Sequence, residues 1–352
     1  MRQTGRRDVD AGAATAVVGV GLAGAMVAGR LAAAGLPVQA WDKGRGPGGR
    51  CSTRRRGSGA TETAFDHGAQ YLTASEPRFV EVVARWEKEG VVQRWGDGGL
   101  IEVKAALGRF QVLGDAPAKT RWVGVPGMSR LVSRELEGVG VGFERRAVRL
   151  ERAASGWWVA MEDGEVEGPY TRVVLGMPAV QARVLLEPVE PGLAERLAGV
   201  EVTPCWAAML VVEGSAGLDW VGAKVRGHEA LAWVANDSSK PGRGQEDGLE
   251  CWVVHASPAW TLANLEIGRD AAGERLAAAF DDLCEGLGVG RPGYAKVRAH
   301  RWLYAQTKAA LGEPYLVNED QTLWVCGDWM LGGKLEAAAL SGLAVAEAMG
   351  SM

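Results

Sequence analysis

The sequence predicts an α/β fold in which a parallel nucleotide-binding unit is joined to an α+β unit built on an antiparallel sheet. Three observations predict it: a strand–turn–helix–strand run over residues 15–43, a second glycine loop directly after it, and a central region of separate strand-like segments. Thr15–Val18 reads as a buried strand and Leu22–Ala34 as a helix of small and apolar residues. The glycines between them, Gly19, Gly21 and Gly24, have G-x-G-x-x-G spacing. Gly19 permits the tight turn, Gly21 lets backbone approach a pyrophosphate, and Gly24 lets the helix pack on the strand. The helix N-terminus, with Leu22 and Ala23, then faces the phosphates. Asp42 ends the next strand, where a carboxylate can accept hydrogen bonds from adenosine ribose hydroxyls and would repel a 2′-phosphate. The expected dinucleotide is therefore FAD or NAD, not NADP.

GRGPGGR, Gly44–Arg50, follows the acid at once. Its glycines around Pro47 give an irregular loop whose N–H groups can bind anionic oxygens, and Arg50 offers a forked cation beside them. Gly-rich loops are ordinarily turns. Placed two residues after the ribose acid, this one matches the GG motif of flavin enzymes, which favours FAD and brings Lys43, Arg45, Gly49 and Arg50 into the cofactor site.

Composition bounds the remaining classes. A chain of 352 residues, 47% hydrophobic and 23% charged, can bury one large core or two moderate ones. A net charge of −4 leaves no footprint for nucleic acid. The uncharged run Ala11–Gly29 is nineteen residues of mainly small side chains punctuated by glycine, too short and too weakly apolar for an anchor, so a cytoplasmic protein without membrane association is expected, with Met1–Gly12 a loose tail. Five scattered cysteines and four histidines without metal-ligand spacing point to no disulfide framework and no metal.

Farther along, Glu76–Glu89 and Ala271–Leu287 read as helices, and Val202–Val212, Leu231–Ala235 and Glu250–Ala256 as strands, with a loop over Asn236–Gly248. GVGVG at Gly138–Gly142 has the wrong spacing for a second fingerprint and runs into a strand expected over Phe143–Leu150. With no second dinucleotide domain and no C-x-x-C, electrons must come from a substrate or partner at the flavin. The end of the chain reads as a buried strand Trp324–Cys326, a turn at Gly327 and Asp328, and a helix Leu335–Met349. Such a helix would aim N–H groups and its positive end at the flavin edge that becomes anionic on reduction.

Six separated motifs, GRGPGGR, FDHGAQYLTA (Phe65–Ala74), RWVGVPGM (Arg121–Met128), WVVHASPAW (Trp252–Trp260), HRWLYA (His300–Ala305) and the closing CGDW segment, resemble in their order the renalase family of amine-oxidase-like flavoproteins. The resemblance implies a p-hydroxybenzoate-hydroxylase-like, Rossmann-type FAD domain over 1–78, 121–182 and 296–352, with a substrate domain over 79–120 and 183–295. It implies noncovalent FAD held also at Ala69, Ala147, Gly327, Asp328 and Leu335, with His255, Gln70, Tyr71 and Trp302 at the substrate. From the residues alone, a lone strand histidine such as His255 is more often a core residue, and Tyr71 could be a packing aromatic. Arg301 could face an anionic substrate or solvent. The implied activity is oxidation of 2- and 6-dihydro isomers of NAD(P)H to NAD(P)+, with O2 reduced to H2O2. A flavin amine oxidase is the alternative. A nonenzymatic, regulatory FAD-binding protein is a third class, disfavoured by the continuous run of motifs.

Overall fold

The computed structural model describes residues 6–8, 14–56, 63–97, 99–106, 108–243 and 248–351. Its first sheet has six strands in the order Gly140–Gly142, Val38–Trp41, Thr15–Val18, Arg172–Leu175, Leu323–Val325, Leu316–Val317. All pairs are parallel except the last. Thr15–Val18 is buried on both faces, as its apolar run requires in a parallel sheet. The helix Leu22–Ala33 follows it, and the closing helix Leu335–Gly350 crosses that helix so closely that a Cβ on Gly342 would lie 2.3 Å from the Ala23 carbonyl oxygen.

The second large sheet has seven strands: Gly293–Ala309, Glu201–Glu213, Leu249–Ala256, Leu231–Asn236, Gly222–Arg226, Leu100–Ala106 and Arg109–Asp115. It is antiparallel as expected, except that Gly222–Arg226 and Leu100–Ala106 run parallel. That pair joins distant parts of the chain, so no hairpin dictates its direction. One face, with Ala208, Leu210, Trp252 and Val254, is buried under the helix Arg269–Gly286 through Leu276, Phe280 and Leu283. The opposite face carries Met209, Val211, Cys251 and Val253, which pack on Phe65 from the dinucleotide unit.

Three expectations change. The helix Pro77–Lys88 buries Phe79, Val82, Val83 and Trp86 in the core of the Leu22–Ala33 helix, and the Gly293–Ala309 strand lies wholly in the seven-stranded sheet, so neither falls as the divisions at 79 and 296 imply. The expected strand Phe143–Leu150 begins only at Ala147: Gly140–Gly142 ahead of it extends the parallel sheet beside Val38–Trp41, residues 143–146 are irregular, and Ala147–Ala153 opens a separate small sheet. Glu144, with φ of 57°, takes the chain between them. Within the expected loose tail, Arg6–Asp8 adds a parallel strand to that small sheet at Val166–Gly168; the rest of 1–13 lies outside the described residues. An open sheet edge supplies the unpaired backbone groups that such a segment can use.

Candidate active site

The first glycine turn has the geometry its spacing requires. Gly19 has φ of +88°, and a Cβ on Gly24 would lie 2.1 Å from the Gly19 carbonyl oxygen, so helix and turn meet backbone to backbone. Gly21 is open, with nothing within 4 Å of an added Cβ. The first helical bond runs from the Ala25 N–H to the Gly21 carbonyl at 2.9 Å, which leaves the N–H groups of Leu22, Ala23 and Gly24 unused by the helix. An open cradle lined by such donors fits a dinucleotide pyrophosphate.

Asp42 locks this turn to the next loop. Its Oδ2 accepts from the Val20 N–H at 2.9 Å and its Oδ1 from the Gly44 N–H at 2.7 Å. Each oxygen keeps further acceptor capacity for a ribose hydroxyl. The Asp42 carbonyl accepts from Arg145 N–H at 3.0 Å, which brings the turn leading to Ala147 beside the acid. Lys43 and Arg45 are exposed on the rim. Gly49, with φ of +53°, would place a Cβ 3.3 Å from Gly21 Cα, so the two glycine loops touch.

The forked cation expected at Arg50 already has a protein partner. Its guanidinium is a bidentate partner of Asp328, with Nη1 donating to Oδ2 at 2.9 Å and Nη2 to Oδ1. Asp328 Oδ2 also accepts from Thr307 Oγ1 at 3.0 Å. The arginine and the Gly327–Asp328 turn, separated by most of the chain, thus form one half-buried clamp. The Gly327 N–H donates to Ser341 Oγ at 3.0 Å, fastening the turn to the closing helix. The start of that helix, Leu335 after Lys334, sits over the strand Gly293–Ala309, where a Cβ on Gly333 would lie 3.0 Å from Thr307 N. Glu336 in its first turn accepts from the Ser75 and Glu76 N–H groups at 2.6 and 2.7 Å.

From Arg50 the contacts continue into FDHGAQY. The Ala69 N–H donates to the Arg50 carbonyl at 2.9 Å, and a Cβ on Gly68 would lie 2.1 Å from that carbonyl oxygen and 3.3 Å from Trp302 Cζ2. The His67 carbonyl accepts from Trp302 Nε1 at 2.9 Å and lies 3.2 Å from His255 Nε2. The sheet register explains the meeting: Ala207 is opposite His255 on one side and His300 on the other, and Trp233 is opposite His255. Trp233, His255, Ala207 and His300 therefore form a row across the sheet face turned toward the dinucleotide unit. Tyr71 packs on Trp233, with ring centroids 5.6 Å apart, and lies under the Arg121 guanidinium.

His67 stacks on Trp302 at 5.0 Å and meets His300 edge-on at the same distance. Burial pushes His67 down to about 3, with His300 and Arg54 adding to the effect. Burial likewise pushes His255 to about 4, although the His67 carbonyl favours its charged form, and His300 to about 4 with Arg54 and Arg269 contributing. All three imidazoles are neutral near pH 7.

Gln70 does not present a free amide. Its Nε2 donates to the Asp66 carbonyl and its Oε1 accepts from Lys240 Nζ at 3.3 Å. Both belong to a charge cluster that sequence reasoning missed: Asp66, Asp237 and Lys240 have fully buried side chains, and that of Arg243 is 2% exposed. Lys240 and Arg243 lie in what reads as a plain loop, and only the buried tertiary partners give them a role. His67 and His300 stood inside quoted motifs without any spacing that marked them. Arg301 lies on the opposite sheet face, over Trp206 and paired with Glu266 at 3.2 Å, away from His255. The cysteines are all free and buried, and burial pushes the Cys326 thiol of the closing motif up to about 12. Among the described residues no helix is long and apolar enough to cross a membrane.

Residues 17–86 match the family model of the NAD(P)-binding Rossmann-like domain. Solved structures similar over the whole chain include cyclohexylamine oxidase from Brevibacterium oxydans IH-35A, with a TM-score of 0.74 and 13% identity over 96% of this chain and 99% of that one. A putative protoporphyrinogen oxidase from Exiguobacterium sp. 255-15 has a TM-score of 0.71 and 11% identity, covering 96% and 98%. Putrescine oxidase bound to putrescine has a TM-score of 0.68 and 12% identity, covering 99% and 100%. The fold is thus a Rossmann-like domain joined to a second, largely antiparallel sheet, as in these oxidases.

Proposed function

We propose that this chain is an FAD-dependent oxidase acting on the 2- and 6-dihydro isomers of NAD(P)H. One observation carries the reading: an unbroken line of backbone contacts leads from the Asp42 and Gly21 cradle through Gly49, Arg50 and Gly68 to a face of aromatic rings and neutral imidazoles at Trp302 and His255. Bound FAD would supply a two-electron acceptor at the far end of that line, with O2 as the final oxidant giving H2O2. Gly19, Gly21, Leu22, Ala23 and Gly24 would hold the pyrophosphate, Asp42 the ribose, and the Gly327–Leu335 segment the ring end. Loss of hydride from a dihydropyridine creates an aromatic pyridinium, so the substrate needs orientation more than a strong base. Trp302, Tyr71 and Trp233 offer flat walls, and neutral His255 offers a hydrogen-bonding edge. A second reading, amine oxidation, is favoured by the same burial, which opposes charge on these imidazoles and would likewise favour the neutral, oxidisable form of an incoming amine.

Anaerobic mixing separates the two. The 2- and 6-dihydro isomers should bleach the flavin rapidly, with ordinary NADH and simple amines slow or inert. Rapid bleaching by amines alone would transfer the proposal to amine oxidation, and bleaching by none would remove both.

A further inference from the structure

We infer that the buried quartet Asp66, Asp237, Lys240 and Arg243 is a positioning device that fixes the His67 carbonyl, so that His255 is held with its proton on Nε2 and its lone pair on Nδ1. This deepens the reading of His255 as a site residue and rests on it. A carbonyl only accepts hydrogen bonds, so the 3.2 Å approach of His255 Nε2 to the His67 oxygen requires the hydrogen on Nε2. The same oxygen accepts from Trp302 Nε1, which is a donor only, at 2.9 Å. No hydrogen bond reaches His255 Nδ1 among the described residues, and the side chain is only half-buried, so that nitrogen can be approached.

The carbonyl belongs to the residue after Asp66, and Asp66 is held from all sides. Its N–H donates to Asp237 Oδ2 at 2.5 Å. Its carboxylate accepts from Thr53 Oγ1 at 2.7 Å, the Met128 N–H at 3.0 Å, Lys240 Nζ at 3.2 Å and Arg243 Nη2. Its carbonyl accepts from Gln70, whose own oxygen is held by Lys240. Lys240 Nζ also lies 2.6 Å from Asp237 Oδ1. Burial opposes charge on Asp66, yet Lys240 and Arg243 hold its carboxyl below the ordinary value. Buried ion clusters rarely add stability over an apolar packing of equal volume, whereas they do fix geometry. Here the geometry fixed is that of the segment 66–70 against the residues that follow the Trp233 strand. Trp233 lies opposite His255 in the sheet, and the His67 carbonyl of that segment meets its ring.

The test is histidine-ring 15N NMR on the holoprotein without substrate at pH 7, with the His255 signals assigned by their loss in His255→Gln. Wild type should give a single neutral tautomer with protonated Nε2. Lys240→Met, which removes the cation bridging Asp66, Asp237 and Gln70, should give a mixture of tautomers or ring exchange, and Asp237→Asn read the same way decides if Lys240→Met does not fold. Protonated Nδ1 in wild type, or an unchanged pure Nε2–H form in the folded variant, overturns the inference. No turnover is involved, so failure of the proposed substrate would leave this result standing, and the reverse.

Discussion

The Arg50–Asp328 clamp gives the sharpest test of how this chain holds its cofactor loops. Asp328 has a side chain 5% exposed and Arg50 one 30% exposed, so the two removals are unequal. Arg50→Ala strands a buried carboxylate with the Thr307 hydroxyl at 3.0 Å and no cation, a loss of about 3–5 kcal/mol. Asp328→Ala leaves a partly wet guanidinium that still reaches the Ala305 carbonyl at 3.4 Å, which should cost about 1–2 kcal/mol. The double variant should then fall short of the sum of the singles by roughly 0.5–3 kcal/mol, the range for groups in direct contact. Urea unfolding of the apoprotein gives these values, and FAD titration on the same samples shows whether binding follows the clamp. Additive losses, or a larger loss from Asp328→Ala than from Arg50→Ala, would refute the argument.

Gly24→Ala should destabilise the apoprotein and abolish cofactor binding, since its methyl meets backbone at 2.1 Å, whereas Gly21→Ala should leave the apoprotein melting temperature nearly unchanged and weaken FAD about ten-fold; equal melting losses would contradict the cradle. The depressed histidines predict acid sensitivity. Their unfolded-state value is 6.5 and the folded value of His255 is about 4, so the unfolded chain binds more protons in between. Stability is then fully present above pH 6.5 and falls as pH drops toward 4, by about 3 kcal/mol for His255 alone. His255→Gln should flatten part of the fall in urea midpoint between pH 7.5 and 5, and an unaltered slope would count against burial as the cause. The purified protein should be yellow and release FAD on denaturation, and Asp42→Ala should weaken FAD ten-fold or more through ribose contacts and the lost Val20 and Gly44 bonds; a colourless protein that FAD cannot reconstitute would end the flavin reading.

The sequence by itself determined the local units. The parallel strand Thr15–Val18, its glycine turn, Asp42 and the helices near 77–88 and 269–286 were legible because each depends on spacing within a few turns of chain. Glycine positions were legible for the same reason: a left-handed turn or a backbone contact tolerates no Cβ. From the residues alone His255 could be placed on a strand face and no further, the family resemblance alone assigning it to the substrate, because its neighbours His67, His300 and Trp302 come from distant segments. Tertiary structure alone decided that Arg50 serves Asp328, that Gln70 serves Lys240, and that a polar loop at 237–243 carries two buried cations. The physical reason is that a charge's role is set by its partner and its dielectric surroundings. Both are properties of which segments meet, and neither is written in the spacing along the chain.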